Sequence, residues 1–167
     1  RQSVQKFVGA KRAEEIIFTR NTTEGLNLVL NSLGLKKGDV VLTTDKEHNS
    51  SLLPVQSLAK TLGIKHGIVY SNEDNTFNLE NFEKQMSKKV KLVSMVHTSN
   101  LDGVTIPAKE IIKIAHDYGA LVMLDGAQSV PHRPVDVKDL DTDFLAFSGH
   151  KMLGPTGIGV LCAKKEL

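Results

Sequence analysis

The chain has 167 residues, 40% of them hydrophobic and 24% charged, with a formal net charge of +2. That length supports one domain with a substantial core, and the near-neutral balance with scattered lysines excludes the basic stripe of a nucleic-acid binder. A single cysteine, Cys162, excludes an internal disulfide framework, and no run approaches the roughly 20 apolar residues of a membrane span.

Residues 1–12 are polar with a helical pattern and no apolar h-region, so no signal peptide is read there. With only one thiol in the chain, a reducing, cytoplasmic setting is expected. Ile16–Thr19 is short, β-branched and aromatic, and reads as the first strand. Glu24–Leu33 then places Leu26, Leu30 and Leu33 at helical spacing. A strand over Val40–Thr44 precedes a helix over Leu52–Leu62, which carries Leu58 and Leu62. Gly67–Tyr70 is the third strand, and Ser71–Phe77, rich in Asn, Ser and Asp, is a surface loop. Asn78 suits the N-cap of a helix over Leu79–Ser87. After a strand over Leu92–His97, the helix Pro107–Tyr118 begins on a proline suited to a first turn and carries Ile111, Ile112 and Ala115. Strands follow at Leu121–Asp125, Phe144–Phe147 and Gly159–Ala163, and Lys164–Leu167 reads as the start of another helix. Gly34, Gly63 and Gly119 suit left-handed helix ends.

Strands alternating with helices predict an α/β fold: a three-layer sandwich with a mostly parallel seven-stranded sheet and helices on both faces. The chain starts without Met inside a helical pattern, so residues 1–167 are expected to be one large domain from a longer enzyme.

In open α/β sheets ligands bind outside the carboxyl ends of the strands. Polar residues follow five of those ends: Asn21–Glu24, Glu47–His48, His97–Asn100, Asp125–Gln128 and Ser148–Lys151. The most informative is Ser148-Gly149-His150-Lys151-Met152-Leu153-Gly154-Pro155. An amine to condense with an aldehyde, a carboxylate for a pyridine nitrogen and donors for a dianionic phosphate are what a pyridoxal phosphate site requires. Lys151 offers the amine, and desolvation would make it a base; the alternative is a solvated surface lysine. Asp125, 26 residues earlier, ends an apolar run and suits the pyridine nitrogen or, alternatively, a helix N-cap. Thr22 and Thr23 open a helix whose N–H groups, hydroxyls and dipole suit a phosphate, although Thr22 also suits an ordinary cap. Ser148 and His150 complete a phosphate cup. His48 either lies over a cofactor ring or is structural, while Asn100 and Gln128 either bond a phenolic oxygen or sit in turns.

His66, His97, His116 and His132 show no metal spacing, so no metal is expected. The glycines from Gly154 to Gly159 lack the Lys-Ser/Thr of a phosphate-binding loop and precede a strand, so they are not a nucleotide fingerprint. Cys162, in the run Val160-Leu161-Cys162-Ala163, reads as a buried thiol.

Five segments, in order, span nearly the whole chain: Phe18–Leu28, Glu47-His48-Asn49-Ser50, Thr98-Ser99-Asn100, Asp125-Gly126-Ala127-Gln128 and Ser148–Gly159. Together they resemble the cysteine desulfurase/selenocysteine lyase group of class V aminotransferases. The resemblance implies the large domain of a type I pyridoxal phosphate enzyme. It implies Lys151 as the Schiff-base lysine, Asp125 at the pyridine nitrogen, Gln128 near the phenolic oxygen and His48 on the ring. It places Thr23, Ser148 and His150 on the phosphate beside Thr22, with Asn100 near the cofactor and the substrate carboxylate. Lys151 and His48 are the implied catalytic residues. The implied reaction turns L-cysteine into L-alanine and leaves persulfide sulfur on the enzyme, to be mobilised for iron–sulfur cluster assembly.

The resemblance also implies a homodimer and a sulfur-acceptor protein. Ser51 stands where many relatives carry Asn, and Asp102 where they often carry a small or apolar residue. These departures bear on fine substrate specificity more than on cofactor binding; the alternatives are a selenocysteine lyase, an aminotransferase, an epimerase or an inert cofactor-binding unit. In the family the sulfur-accepting cysteine and a carboxylate-gripping arginine come from the C-terminal part, and nothing here matches them. Little or no sulfur release is therefore expected from these 167 residues alone.

Overall fold

Helix and strand alternate from the first residues in the computed structural model, which describes residues 1–167. Helix α1 (Gln2–Val8) ends on Gly9, and a 3₁₀ turn leads into β1 (Ile16–Thr19). Then come α2 (Thr22–Ser32), β2 (Val40–Thr44), α3 (Asn49–Leu62), β3 (Lys65–Val69) and α4 (Leu79–Gln85). Next are β4 (Val90–Val96), α5 (Ala108–Asp117), β5 (Leu121–Asp125) and the short helices α6 (Ser129–His132) and α7 (Val137–Leu140). Strand β6 (Phe144–Ser148), a 3₁₀ turn over Gly149–Met152 and β7 (Gly159–Ala163) complete the chain.

The seven strands form one sheet in the order β1-β7-β6-β5-β4-β2-β3. Only β7 runs against the rest, antiparallel to both β6 and β1. Six carboxyl ends therefore share one edge, and the register sets Val96 beside Asp125 and Asp125 beside Ala146.

The apolar runs bury both faces because successive side chains of a strand point to opposite sides. Met123, Ala146 and Leu161 pack with Leu26 and Leu30 of α2 and Val55 of α3. Their neighbours Leu124, Leu145 and Val160 pack on the other face, with Val8 of α1, Phe82 of α4 and Ile111 and Ile112 of α5. This is the expected three-layer sandwich. Truncating a fully buried residue such as Leu92 or Ile111 to Ala costs about 2–5 kcal/mol.

Several boundaries differ from the sequence reading. Helix α2 begins at Thr22 because Asn21 caps it, its side chain accepting from Glu24 N at 2.9 Å. Helix α3 begins at Asn49, with His48 as its cap. Strand β3 starts earlier, at Lys65, because its pairing with Val40 begins there, and it ends before Tyr70, which points to solvent. Lys164–Leu167 forms a turn rather than a helix, since Lys164 folds back onto Asp141 and Asp143 at 2.8 Å. Gly63 caps α3 at φ 70°, as expected of a left-handed helix end. No helix is long and apolar enough to cross a membrane.

Candidate active site

The shared carboxyl edge opens into a cleft of about 270 Å³. Its floor is buried: Asp125 at the end of β5, Thr22 at the start of α2 and Ser148 at the end of β6. Its upper wall is open to solvent and carries Thr23, His48, Asn100, His150 and Lys151, with Gln128 half-buried. All nine residues singled out from the sequence thus line one cleft.

Asp125 is 3% exposed. Its Oδ1 accepts from Ala127 N at 2.9 Å, so it closes its own turn and does not cap a helix; Gln128 holds the cap position of α6. Its Oδ2 makes no hydrogen bond within the chain and is open to the cleft. Burial pushes the Asp125 carboxyl above its ordinary range, while the Ala127 N–H and the charges of Lys151 and His48 pull it back. Asp125 and Lys151 therefore act on each other across the same cleft.

Thr22 N donates to Ser148 Oγ at 2.7 Å, and the two hydroxyl oxygens lie 2.6 Å apart. This pair ties the first turn of α2 to β6. Gly159 on β7 permits that approach, because a Cβ there would stand 2.6 Å from Asn21 Cα. The first turn of α2 so turns the positive end of its dipole, with the Thr23 N–H, to the cleft, a fit for an anion.

His48 caps α3: its Nδ1 accepts from Ser50 N at 3.1 Å and lies 2.7 Å from Ser50 Oγ. With Nδ1 as acceptor, the neutral ring carries its proton on Nε2. The structural reading of His48 is met by this cap, and the residue also borders the cleft. Lys151 lies on the 3₁₀ turn and is exposed, so these residues do not supply the desolvation expected for it. Asn100 sits on the turn after β4. That turn is held by an ion pair between Asp102 and Lys46, whose Nζ also donates to the Asn75 carbonyl at 2.9 Å. Cys162 lies 4% exposed in the core, its thiol pushed up to about 12 by burial first and then by the Glu15 charge, so it is not a nucleophile.

Sequence reasoning gave no role to Glu47. Its Oε1 accepts from Thr44 Oγ1 at 2.7 Å and Val96 N at 2.9 Å, and more loosely from Thr44 N at 3.3 Å. Its Oε2 is shut off from solvent and has no hydrogen-bond partner. Burial, helped by the Asp125 charge, pushes this carboxyl up to about 7 against the pull of Thr44 and Val96.

A buried carboxylate with one free oxygen, an anion-seating helix start and an amine on one cleft fit pyridoxal phosphate. Asp125 would face the pyridine nitrogen, Thr22, Thr23, Ser148 and His150 the phosphate, and Lys151 the aldehyde.

The class that this fold and cleft define has known members. The family model "Aminotransferase class-V" matches residues 1–167. A probable cysteine desulfurase of Halalkalibacterium halodurans is 48% identical over 168 residues, covering 99% of this chain and 41% of that protein. The Escherichia coli cysteine desulfurase CsdA superposes with a TM-score of 0.96 at 34% identity, covering 99% of this chain and 42% of that one. The C-DES protein, solved with glycine covalently linked to its PLP cofactor, superposes at 0.91 with 28% identity, over 99% of this chain and 44% of its own. The chain belongs to the class-V aminotransferase family, and its sheet is the large-domain fold of type I pyridoxal phosphate enzymes. It spans about two fifths of the length of the relatives it matches.

Proposed function

We propose that the protein is a pyridoxal phosphate-dependent cysteine desulfurase, with residues 1–167 as its cofactor-binding large domain. The carrying observation is that Asp125, Lys151 and the Thr22–Ser148 pair meet on one cleft in a class-V chain. When bound, the cofactor supplies an aldehyde carbon and an electron-withdrawing ring.

Each residue then has a stated task. Thr22, Thr23, Ser148 and His150 hold the phosphate, and Asp125 Oδ2 holds a proton on the pyridine nitrogen. Gln128 bonds the phenolic oxygen and His48 covers the ring. Asn100 orients the carboxylate of L-cysteine. Lys151 Nζ would hold the cofactor at its aldehyde carbon and, when free of it, would take the proton from the substrate Cα. His48 Nε2 assists proton movement. A cysteine thiolate from outside these residues receives the sulfur as a persulfide, and alanine leaves. A homodimer, a sulfur-acceptor protein serving iron–sulfur assembly and a cytoplasmic location complete the reading.

The test is a visible spectrum after adding pyridoxal phosphate, followed by borohydride reduction and peptide mapping. A reduced adduct on Lys151 supports the reading; its absence overturns it. Lys151→Ala in the full protein should lower cysteine-dependent alanine release by on the order of 10³-fold. The likeness to a protein described as a cystine C-S lyase favours, as second reading, C–S cleavage without a protein persulfide. Alanine as product supports desulfuration, and a keto acid supports the lyase.

A further inference from the structure

We propose that Glu47 is the second carboxyl of the site: a positioning residue that fastens the β2–α3 turn to the end of β4 and stays neutral behind Asp125, so that Asp125 alone carries negative charge there. This rests on the cofactor-binding reading above.

Three observations carry it. Glu47 Oε1 gathers the Thr44 hydroxyl at 2.7 Å and the Val96 N–H at 2.9 Å, contacts that join residues 49 apart in the chain. Val96 is paired in register with Asp125, and His48, the next residue, caps α3. Glu47 therefore fixes the supports of both residues at once. Its Oε2 lies buried with no partner. An ionised oxygen left in that way is costly, whereas a protonated carboxyl leaves only a weak donor unmatched.

The charges around Glu47 point the same way. Asp125 acts on it and raises it, and no cation offsets that effect. Lys46, the neighbour in sequence, is turned to Asp102 and the Asn75 carbonyl. Asp45 is turned to Ser71. His66 bonds Thr43 at 2.8 Å and His97 bonds Ser129 at 3.0 Å, both with burial favouring the neutral ring. The Ser51 hydroxyl favours the charged form slightly but makes no hydrogen bond to Oε2. Asp125, in contrast, has the Lys151 charge across the cleft in support of its own. Two buried carboxyls side by side do not both ionise without cost, and their surroundings decide which one keeps the proton. The cationic face toward Asp125 and the absence of any toward Glu47 assign the proton to Glu47. A cofactor ring cation then meets a single counter-charge, on the oxygen that is open to the cleft.

Two measurements test this. In the cofactor-free full protein, the ¹³C side-chain carboxyl resonance of Glu47, assigned by its loss in Glu47→Gln, is expected to titrate near pH 7. Titration between about pH 4 and 5, the ordinary glutamate range, overturns the proposal. Pyridoxal phosphate affinity, read at pH 6.5 or so from the visible band, is expected to stay within about twofold of wild type in Glu47→Gln, which mimics the neutral carboxyl. In Glu47→Ala it is expected to weaken by roughly tenfold as the buried partners are left unmatched. A Glu47→Gln protein as weak as Glu47→Ala overturns the proposal, because the charge would then matter. An absent adduct on Lys151 in the wild type sinks the cofactor reading instead, and the cofactor-free titration still decides the protonation of Glu47.

Discussion

The two ends of the sheet each bury an aspartate, and they treat it in opposite ways. Asp143, just before β6 at the amino end, is 4% exposed and fully engaged. It accepts from Val122 N at 2.7 Å, lies 2.8 Å from His116 Nε2 and pairs with Lys164 Nζ at 2.8 Å. Asp125, at the carboxyl end of the adjacent strand β5, is as deeply buried, yet it has one backbone donor and a free oxygen beside the half-satisfied Glu47. A structural carboxylate is neutralised where it stands. One left under-satisfied at the mouth of a cleft is held ready for a partner that comes from elsewhere.

The sharpest way to break this contrast is to remove the carboxylate at each end in turn. Asp125→Asn should lower turnover of the loaded full protein by on the order of 10²–10³-fold, while its melting temperature holds or rises, as checked by steady-state assay and calorimetry. Asp143→Ala should do the reverse. Loss of about 3 kcal/mol is expected because the buried Val122 N–H is left without its acceptor and Lys164 and His116 keep only the exposed Asp141, with pyridoxal phosphate affinity little changed. At about 2–4 °C per kcal/mol, that is a fall of roughly 6–12 °C.

Of comparable size is the pH dependence contributed by Glu47. The folded chain holds its proton to about pH 7, against 4.5 for the free side chain. The stabilisation from that proton is complete below pH 4.5 and vanishes as pH rises through 7. It amounts to about 3 kcal/mol at most. Denaturant titrations at pH 5 and 8 or so should show it, and Glu47→Gln should flatten the difference. The smallest effect belongs to Lys46→Ala. The pair with Asp102 is partly exposed, so about 1 kcal/mol or less of stability is expected to go, read from the urea midpoint.

Much of this architecture was legible because apolar runs such as Leu121–Asp125 and Gly159–Ala163 are strands whatever surrounds them. The site was legible because its polar residues follow strand ends. What escaped depends on distant partners. Lys164 has no local signal that it will turn back to Asp141 and Asp143. Helices α6 and α7 are four residues each, too short to show a period. The exposure of Lys151 depends on what covers the cleft, which the motif around it does not encode. Glu47 stood inside a quoted motif, but its partner Val96 lies 49 residues away, so nothing near it marked it as buried.

The Thr22–Ser148 clasp joins residues 126 apart, and β1 reaches its place only by lying against β7. The anion cradle is consequently built from long-range pairings, which must overcome loop-closure entropy before they yield anything. An anion seated there fastens α2 to the last third of the chain. It should therefore act as a rivet against unfolding, with a strength that grows with the logarithm of its free concentration.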